Sequence, residues 1–240
     1  LSRGHRDLAF GAVFVEGDIR SRNALDAVFR AHPIDGVVHF AARSLVGESM
    51  ERPDEYYDVN VAGTLALLEV MKAHGVKRLV FSSSAAVYGE PDTTVITEDA
   101  PLAPANPYGE SKAFVETAFR RFHDAFGLKS VSLRYFNAAG ADVLRRTGEH
   151  HEPETHLIPV LLDVALGRRD VATLFGTDYP TKDGTCIRDY VDVSDLVSAH
   201  VSALVRLLKG KGGCEAFNLG YGTGYSVREV IDTVRAVTGH

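Results

Sequence analysis

The sequence contains little of what a membrane-spanning or disulfide-stabilised protein requires. Its longest apolar stretches, such as residues 158–166, are interrupted by Pro159 and Asp163 and fall short of the roughly 20 apolar residues of a membrane helix. The two cysteines, Cys186 and Cys214, are too few for a disulfide framework. These absences predict a protein of a reducing compartment with no membrane segment.

The sequence also lacks an excess of positive charge. It has 26 Lys and Arg against 32 Asp and Glu, a formal net charge of −6 at pH 7. A field of this sign attracts neither phosphate backbones nor anionic lipid, so we expect no nucleic-acid partner and no membrane partner. There is no starting Met and no basic, apolar leader, from which we expect a cytoplasmic location. A small-molecule partner is favoured.

Short apolar runs alternate with segments of helical periodicity, which predicts βα units and a parallel sheet. With 45% hydrophobic residues among 240, the chain is apolar enough to bury a core. We expect an α/β fold, a doubly wound parallel sheet with a smaller C-terminal lobe. The predicted strands are residues 13–16, 36–40, 78–82, 130–135, 171–175 and 215–219. The predicted helices begin near residue 21 and span about 53–74, 107–126, 157–166, 194–208 and 227–237.

The composition changes after Asn137, where Gly, His and Pro become frequent in the loops. We expect residues 1–137 to form the sheet domain and residues 138–240 a second lobe, interleaved with the first around a shared cleft. A dinucleotide-binding half begins with a strand, a Gly-rich turn and a helix, and residues 1–12 supply none of these. We therefore expect the chain to be truncated at both ends.

Tyr108 and Lys112 are four residues apart at the start of a predicted helix, just after Pro107. This spacing places the two side chains on one helix face, about one turn apart. A tyrosine that acts as a base must lower its pKa from about 10 towards 7, and a neighbouring cation contributes to that shift. Alone, the pair is weak evidence, because a surface helix on which the tyrosine packs and the lysine is solvated is the other interpretation.

Ser82, Ser83 and Ser84 follow directly on the apolar run Leu79-Val80-Phe81. Ligands of open α/β sheets bind at the carboxyl ends of the strands, where a serine hydroxyl can orient a substrate hydroxyl. An ordinary strand-to-loop turn is the other interpretation of this run. Together with Tyr108 and Lys112, Ser84 predicts a site with a hydroxyl donor, a base and a lysine that tunes the base.

Nine ordered segments carry a resemblance to a known family. They are VEGDIR (15–20), HFAA (39–42), VGES (46–49), YYDVNV (56–61), FSSSAAVYG (81–89), PYGESK (107–112), LRYFN (133–137), FGTDYP (175–180) and DGTCIRDY (183–190). In these segments the sequence resembles the extended short-chain dehydrogenase/reductase family, and within it the nucleotide-sugar 4-epimerases. The resemblance covers nearly the whole chain and implies that residues 1–137 are a Rossmann-like NAD-binding domain and residues 138–240 a nucleotide-sugar-binding lobe.

The resemblance implies a reversible reaction that exchanges UDP-galactose and UDP-glucose through a 4-keto intermediate. Tyr108 takes the proton of the sugar 4-hydroxyl, Ser84 hydrogen-bonds the same oxygen, and Lys112 holds the cofactor ribose. Hydride passes from C4 to NAD and returns to the other face of the turned sugar, so NAD is regenerated.

The same resemblance assigns further binding residues. The positions that match the family's cofactor contacts are Asp18, Ile19, Phe40, Ala41, Ala42, Ser44, Asn60, Ser82, Tyr108, Lys112, Tyr135 and Phe136. Those that match nucleotide-sugar contacts are Ser84, Tyr108, Asn137, His156, Leu157, Phe175 and Arg188. Arg188 also has a physical argument, because a guanidinium binds diphosphate oxygens with two parallel hydrogen bonds; the alternative is an ion pair with Asp189 or Asp192.

Two departures from related sequences bear on the site, and one alternative function remains. Many family members carry a lysine where Ser44 stands, and Arg43 is a candidate to replace that cation. Related 4,6-dehydratases carry an Asp-Glu dyad directly after the site hydroxyl, where this chain has Ala85 and Ala86, and methyl groups cannot transfer protons. A catalytically inactive nucleotide-sugar-binding fragment is the alternative from a different class.

Two further predictions concern a metal and a partner. The loop with His150, His151, His156, Glu149, Glu152 and Glu154 has the residue types of a zinc site, but a polar loop in which His156 touches the nucleotide requires no metal, and we expect none. The resemblance implies a homodimer that pairs the helices at 53–74 and 107–126. Five apolar side chains, Val59, Leu67, Val70, Phe119 and Phe122, either form that seam or face their own sheet.

Overall fold

The computed structural model describes residues 4–9, 11–93 and 95–240. The chain divides into two compact units. One consists of residues 13–135 and 197–219, and the other contains residues 136–196 and 220–240 together with the described part of the first twelve residues.

A parallel sheet forms the centre of the first unit. Its strands are β1 (Val37–His39), β2 (Arg78–Ser82), β3 (Lys129–Tyr135) and β7 (Cys214–Leu219), hydrogen-bonded in the order β1-β2-β3-β7. All three pairings are parallel. Both faces of β2 are covered, which is why its sequence is a continuous apolar run rather than an alternating one.

Helices cover both faces of this sheet. On one face, Leu79 and Phe81 of β2 pack with the helices α4 (Gly63–Ala73) and α5 (Pro107–Phe126). On the other, Val80 packs against the part of α7 (Val193–Leu208) that belongs to this unit. The unit also contains α1 (Arg22–Ala31), α2 (Val46–Glu51) and α3 (Pro53–Tyr56), with a π-helical segment at Tyr57–Ala62 that leads into α4. The predicted Rossmann-like parallel α/β sheet is confirmed.

Local sequence explains where α5 begins and ends. Asn106 accepts a hydrogen bond of 2.9 Å from the backbone N–H of Gly109, and Pro107 occupies the first turn, where its missing N–H has no cost. The helix ends at Gly127, whose φ of 70° is left-handed. Tyr108 and Lys112 therefore sit in the first two turns of a well-defined helix.

The described part of the second unit contains two small sheets, two complete α-helices, the first turn of α7 and a 3₁₀ turn at Arg6–Leu8. Strand β4 (Asn137–Ala139) pairs in parallel with β6 (Tyr190–Asp192), and β5 (Ile187–Arg188) pairs antiparallel with β8 (Tyr225–Ser226). Helix α6 (Leu157–Ala165) packs against α8 (Val227–Thr238). Ser226 and Glu229 form a capping box at the start of α8.

Two predicted strands are wrong. Residues 13–16 and 171–175 are in neither a strand nor a helix, and no described strand pairs with them. Val13 is 78% exposed and Val171 is 68% exposed. A strand requires a hydrogen-bonded neighbour, and β-propensity alone does not provide one. The helix predicted at 53–74 is present in its span, interrupted by the π-helical segment.

The described residues include no helix with both the length and the hydropathy to cross a bilayer.

Candidate active site

The three serines after β2 have three different hydrogen-bonding roles. Ser82 Oγ lies 2.7 Å from the hydroxyl of Tyr135, and Ser83 Oγ donates to Glu116 Oε1 at 2.6 Å. Ser84 Oγ accepts from the backbone N–H of Ala86 at 3.1 Å, and also hydrogen-bonds the Tyr108 side chain. Ser84 is therefore the one of the three that is directed towards Tyr108.

Lys112 joins helix α5 to the end of strand β2. Its Nζ donates a hydrogen bond of 2.9 Å to the carbonyl oxygen of Ser82. The same Nζ lies 4.7 Å from the ring centroid of Phe81 and 5.7 Å from that of Tyr108. The structure thus brings Ser84, Tyr108 and Lys112 together at the carboxyl end of β2, as their sequence positions predict.

Burial dominates the electrostatics of the tyrosine and the lysine. Desolvation raises the pKa of Tyr108, as does the neighbouring Tyr135, while the hydrogen bond from Ser84 opposes the rise. Desolvation lowers the pKa of Lys112 to about 7, opposed by the charge of Glu116. The expected fall of the Tyr108 pKa beside Lys112 is therefore not produced by this chain's own residues, because burial favours the neutral form of both groups.

A buried polar network supports the helix that carries these two residues. Glu116 Oε2 accepts from Arg134 Nη2 at 2.5 Å, and both side chains are at most 5% exposed. Arg134 Nη1 donates to the hydroxyl of Tyr88 at 2.7 Å, which in turn donates to Asn218 Oδ1 at 2.7 Å. Our sequence interpretation missed this network. The sequence did contain a signal for Glu116. It is one helical turn beyond Lys112 on the same helix face, which places the two side chains close together.

The predicted cofactor residues of the first unit differ in their surroundings. Asp18 accepts hydrogen bonds from the backbone and the side chain of Arg20, which lower its pKa to about 2. Phe40 is exposed and stacks on His200, with ring centroids 4.6 Å apart. Ile19 packs against the core cluster of α4 and α5. Ser44 and Ala41 are exposed, and Ala42 is half-buried.

Asn60 is buried and holds the loop that follows β1. Its amide donates to the Arg43 carbonyl at 3.0 Å and to Ser111 Oγ at 2.9 Å, and its oxygen accepts from the Arg43 N–H at 2.7 Å. The Arg43 guanidinium forms ion pairs with Glu48 and Glu55. Arg43 is thus engaged by its own neighbours, which makes it a poor replacement for a cation at position 44.

The remaining predicted residues lie in the second unit. Phe136 packs beside Gly220, where a Cβ would be 2.9 Å from its ring. The backbone N–H of Asn137 donates to the Asp189 carbonyl at 2.9 Å. Phe175 is 83% exposed.

Arg188 and His156 complete the predicted set in this unit. The Arg188 guanidinium donates to the carbonyl of Ile187 at 2.9 Å, and within the described part of the chain it makes no ion pair with Asp189 or Asp192. His156 is the N-cap residue of α6, directly before Leu157. The carboxylates of Glu149 and Glu154 raise the pKa of His156 to about 9.

Comparison with known proteins places the chain in a family. The model of the NAD dependent epimerase/dehydratase family matches residues 2–220. The chain belongs to this family. A UDP-glucose 4-epimerase of Halalkalibacterium halodurans is 54% identical over 241 residues, which cover 100% of this chain and 72% of the relative.

Solved structures of the same family have the same fold. A crystal structure of a UDP-glucose 4-epimerase superimposes with a TM-score of 0.96 at 49% identity, covering 100% of this chain and 73% of the other. A UDP-glucose 4-epimerase from Bifidobacterium longum, in complex with NAD+ and UDP, superimposes with a TM-score of 0.90 at 44% identity, covering 94% and 68%. Ser84, Tyr108 and Lys112 therefore lie on a fold that this chain shares with UDP-glucose 4-epimerases.

Proposed function

We propose that this protein exchanges UDP-galactose and UDP-glucose by NAD-dependent epimerisation at C4. The observation that carries the proposal is the convergence of Ser84, Tyr108 and Lys112 at the end of β2 in a chain of this family. Relatives that are about half identical over the whole chain are named UDP-glucose 4-epimerases. The UDP-glucose 4-epimerase from Bifidobacterium longum was solved in complex with NAD+ and UDP.

The residues at the end of β2 fit a dinucleotide. Lys112 has three N–H donors, of which the Ser82 carbonyl takes one, so two are left for ribose hydroxyls. Phe40 offers an exposed aromatic face after β1, at the same edge of the parallel sheet, where such sheets bind nucleotides. We infer that the first unit binds NAD with these side chains and with Asp18, Ile19 and Asn60.

The catalytic roles follow from the hydrogen bonds and the charges. Tyr108 accepts the proton of the sugar 4-hydroxyl, and Ser84 hydrogen-bonds the same oxygen so that it faces the phenol. When bound, NAD supplies reversible hydride transfer and a positive nicotinamide ring. That charge offsets the effect of burial, because an added cation lowers the pKa of Tyr108 and favours the phenolate.

The nucleotide part of the substrate is assigned to the second unit. Arg188 has an exposed guanidinium that is free of ion pairs with the two nearest aspartates in sequence, which suits it to a diphosphate. We infer that Asn137, His156, Leu157 and Phe175 contact the nucleotide sugar beside it.

The cytoplasmic location predicted from the sequence stays a prediction.

We also infer a homodimer, with a different set of contacts from the predicted seam. Leu67, Val70 and Phe119 are buried within their own unit, and Leu67 and Phe119 belong to the cluster that packs on β2. Exposed apolar side chains on α2, the π-helical segment and α5 include Met50, Tyr57 and Phe114. These three side chains form the surface that we expect a second copy to cover.

The proposed function is tested by the exchange of the two sugars. The purified protein is incubated with NAD and either UDP-galactose or UDP-glucose, beside its Tyr108→Phe variant. We expect conversion in both directions and a loss of about 10²–10⁴-fold in kcat in the variant, the usual contribution of a general base. Unchanged sugars in the presence of bound NAD would overturn the substrate, and an active variant would overturn the role of Tyr108.

A further inference from the structure

Four side chains from one short segment of the second unit converge. Glu149, His151, Glu154 and His156 each offer one potential ligand atom, and these atoms lie within 4.8 Å of one another. His156 Nδ1 lies 2.8 Å from Glu154 Oε1 and 3.0 Å from Glu149 Oε1. His151 Nδ1 lies 3.5 Å and 3.6 Å from oxygens of the same two carboxylates. The cluster combines two imidazoles with two carboxylates.

One nitrogen of the cluster lacks a hydrogen bond. Two carboxylates face the two histidines. His151 Nδ1 is buried and makes no hydrogen bond, which is costly for a polar atom. A divalent cation would neutralise both carboxylates and give His151 Nδ1 a partner.

We propose that Glu149, His151, Glu154 and His156 form a binding site for a divalent transition metal ion, Zn²⁺ in the first place. Imidazole nitrogens and carboxylate oxygens bind zinc at about 2.0–2.2 Å, usually as a tetrahedron. Ligand atoms of such a tetrahedron are roughly 3.3 Å apart by geometry, and one atom from each of the four side chains lies within 4.8 Å of the other three. The side chains therefore have to draw together by at most about 1.5 Å to close on an ion.

The surroundings of Glu154 support this assignment. Its Oε1 accepts hydrogen bonds of 2.8 Å from the backbone N–H groups of Thr155 and His156, an anchoring that is typical of ligating carboxylates. His156 is also the N-cap residue of α6, so the metal fixes the loop to the start of that helix.

The site uses only one nitrogen of the His156 ring. The metal takes Nδ1, and Nε2 is left to contact the nucleotide, which is the role inferred for His156 above. The sequence alone favours a metal-free polar loop. The convergence of four ligand atoms, with the His151 nitrogen lacking a hydrogen bond, favours the metal.

The test measures metal binding and not activity. The purified protein is stripped with a chelator, dialysed and titrated with Co²⁺, and the visible spectrum reports the coordination geometry. Zinc affinity and stoichiometry are then measured by competition with a chromogenic chelator. We expect one equivalent of zinc and a tetrahedral Co²⁺ spectrum. The absence of stoichiometric binding, or an octahedral spectrum, overturns the site.

Variants of the same loop locate the ion. His151→Gln and Glu149→Gln each remove one proposed ligand. Loss of a residue that only hydrogen-bonds a metal ligand lowers metal affinity about 10- to 100-fold. Loss of a ligand should therefore lower the zinc affinity by at least that factor. His150→Gln and Glu152→Gln are matched controls, since both residues lie in the loop but outside the cluster. Equal zinc affinity in His151→Gln and His150→Gln overturns the assignment. Circular dichroism of each variant checks the fold, and the wild-type stoichiometry and Co²⁺ spectrum decide the proposal if a variant fails to fold.

Discussion

The ammonium of Lys112 donates a 2.9 Å hydrogen bond to the carbonyl oxygen of Ser82, so one buried charge connects helix α5 to the carboxyl end of strand β2. The pKa of Lys112 is about 7 in the folded chain, against about 10.4 for an unperturbed lysine. Lys112 therefore links the stability of the protein to pH.

The sign of this link is set by which state binds more protons. Between pH 7 and about 10 the unfolded chain keeps the Lys112 proton and the folded chain loses it, so the free energy of unfolding rises with pH. Raising the pH from 7 to 9 should therefore increase the unfolding free energy of the wild type by about 2 kcal/mol relative to that of Lys112→Met. Urea titrations at both pH values measure it, and a difference that does not depend on pH contradicts it.

The buried pair Glu116–Arg134 should behave as a unit. Removing one partner leaves an uncompensated buried charge, so Arg134→Met should lower the free energy of unfolding by about 3–5 kcal/mol. Removing both partners, in the double variant with Glu116→Met, should cost clearly less than the sum of the two single variants. Denaturant titration of the four proteins gives the coupling energy. Additive effects would show that the pair is not coupled.

Gly109 is required by a close approach of two segments beside the site. A Cβ at this position would overlap the carbonyl oxygen of Ala86 and lie 3.0 Å from Pro104. Gly109→Ala should therefore displace α5 from the loop after Ser84, cost about 1–3 kcal/mol in stability and lower kcat. Gly47→Ala in α2 is the control, because its added methyl meets nothing within 4 Å. Equal stability and equal kcat in the two variants would refute the steric argument.

Phe114 tests the proposed dimer. Its side chain is 54% exposed on α5, and a charge there would be buried without a partner in the interface. Phe114→Glu should give a folded monomer by sedimentation, whereas Val237→Glu, at an exposed position of α8, should leave the oligomeric state unchanged. A wild-type protein that sediments as a monomer would remove the basis for the dimer.

Local signals explain which parts of the fold were predictable. The run of Leu79, Val80 and Phe81 is apolar on both faces, and Pro107 marks a first helical turn, so β2 and α5 were predicted within one residue. Residues 13–16 have equally good strand composition but no described partner, and pairing is a non-local property. The π-helical segment at Tyr57–Ala62 has no local sequence signal that we recognise.

The same distinction applies to the candidate site. Tyr108 and Lys112 are close because they share a helix face, and Ser84 is close because β2 ends beside that helix; both follow from the sequence pattern. Arg134 meets Tyr88 and Asn218 only through the folded sheet, so their network could not be predicted. The rise in the Tyr108 pKa depends on burial, which the sequence pattern does not measure.

The pairing of β3 with β7 has a consequence for how the protein is made. Ser130 and Cys214 are neighbours in the sheet although they are 84 positions apart in the chain. At the usual synthesis rate of 5–20 residues per second, β3 waits about 4 to 17 s before its partner strand leaves the ribosome. During that time one edge of a strand that is buried in the folded protein is unpaired and open to aggregation. Co-expression with chaperones that bind unpaired strands should therefore raise the yield of folded protein.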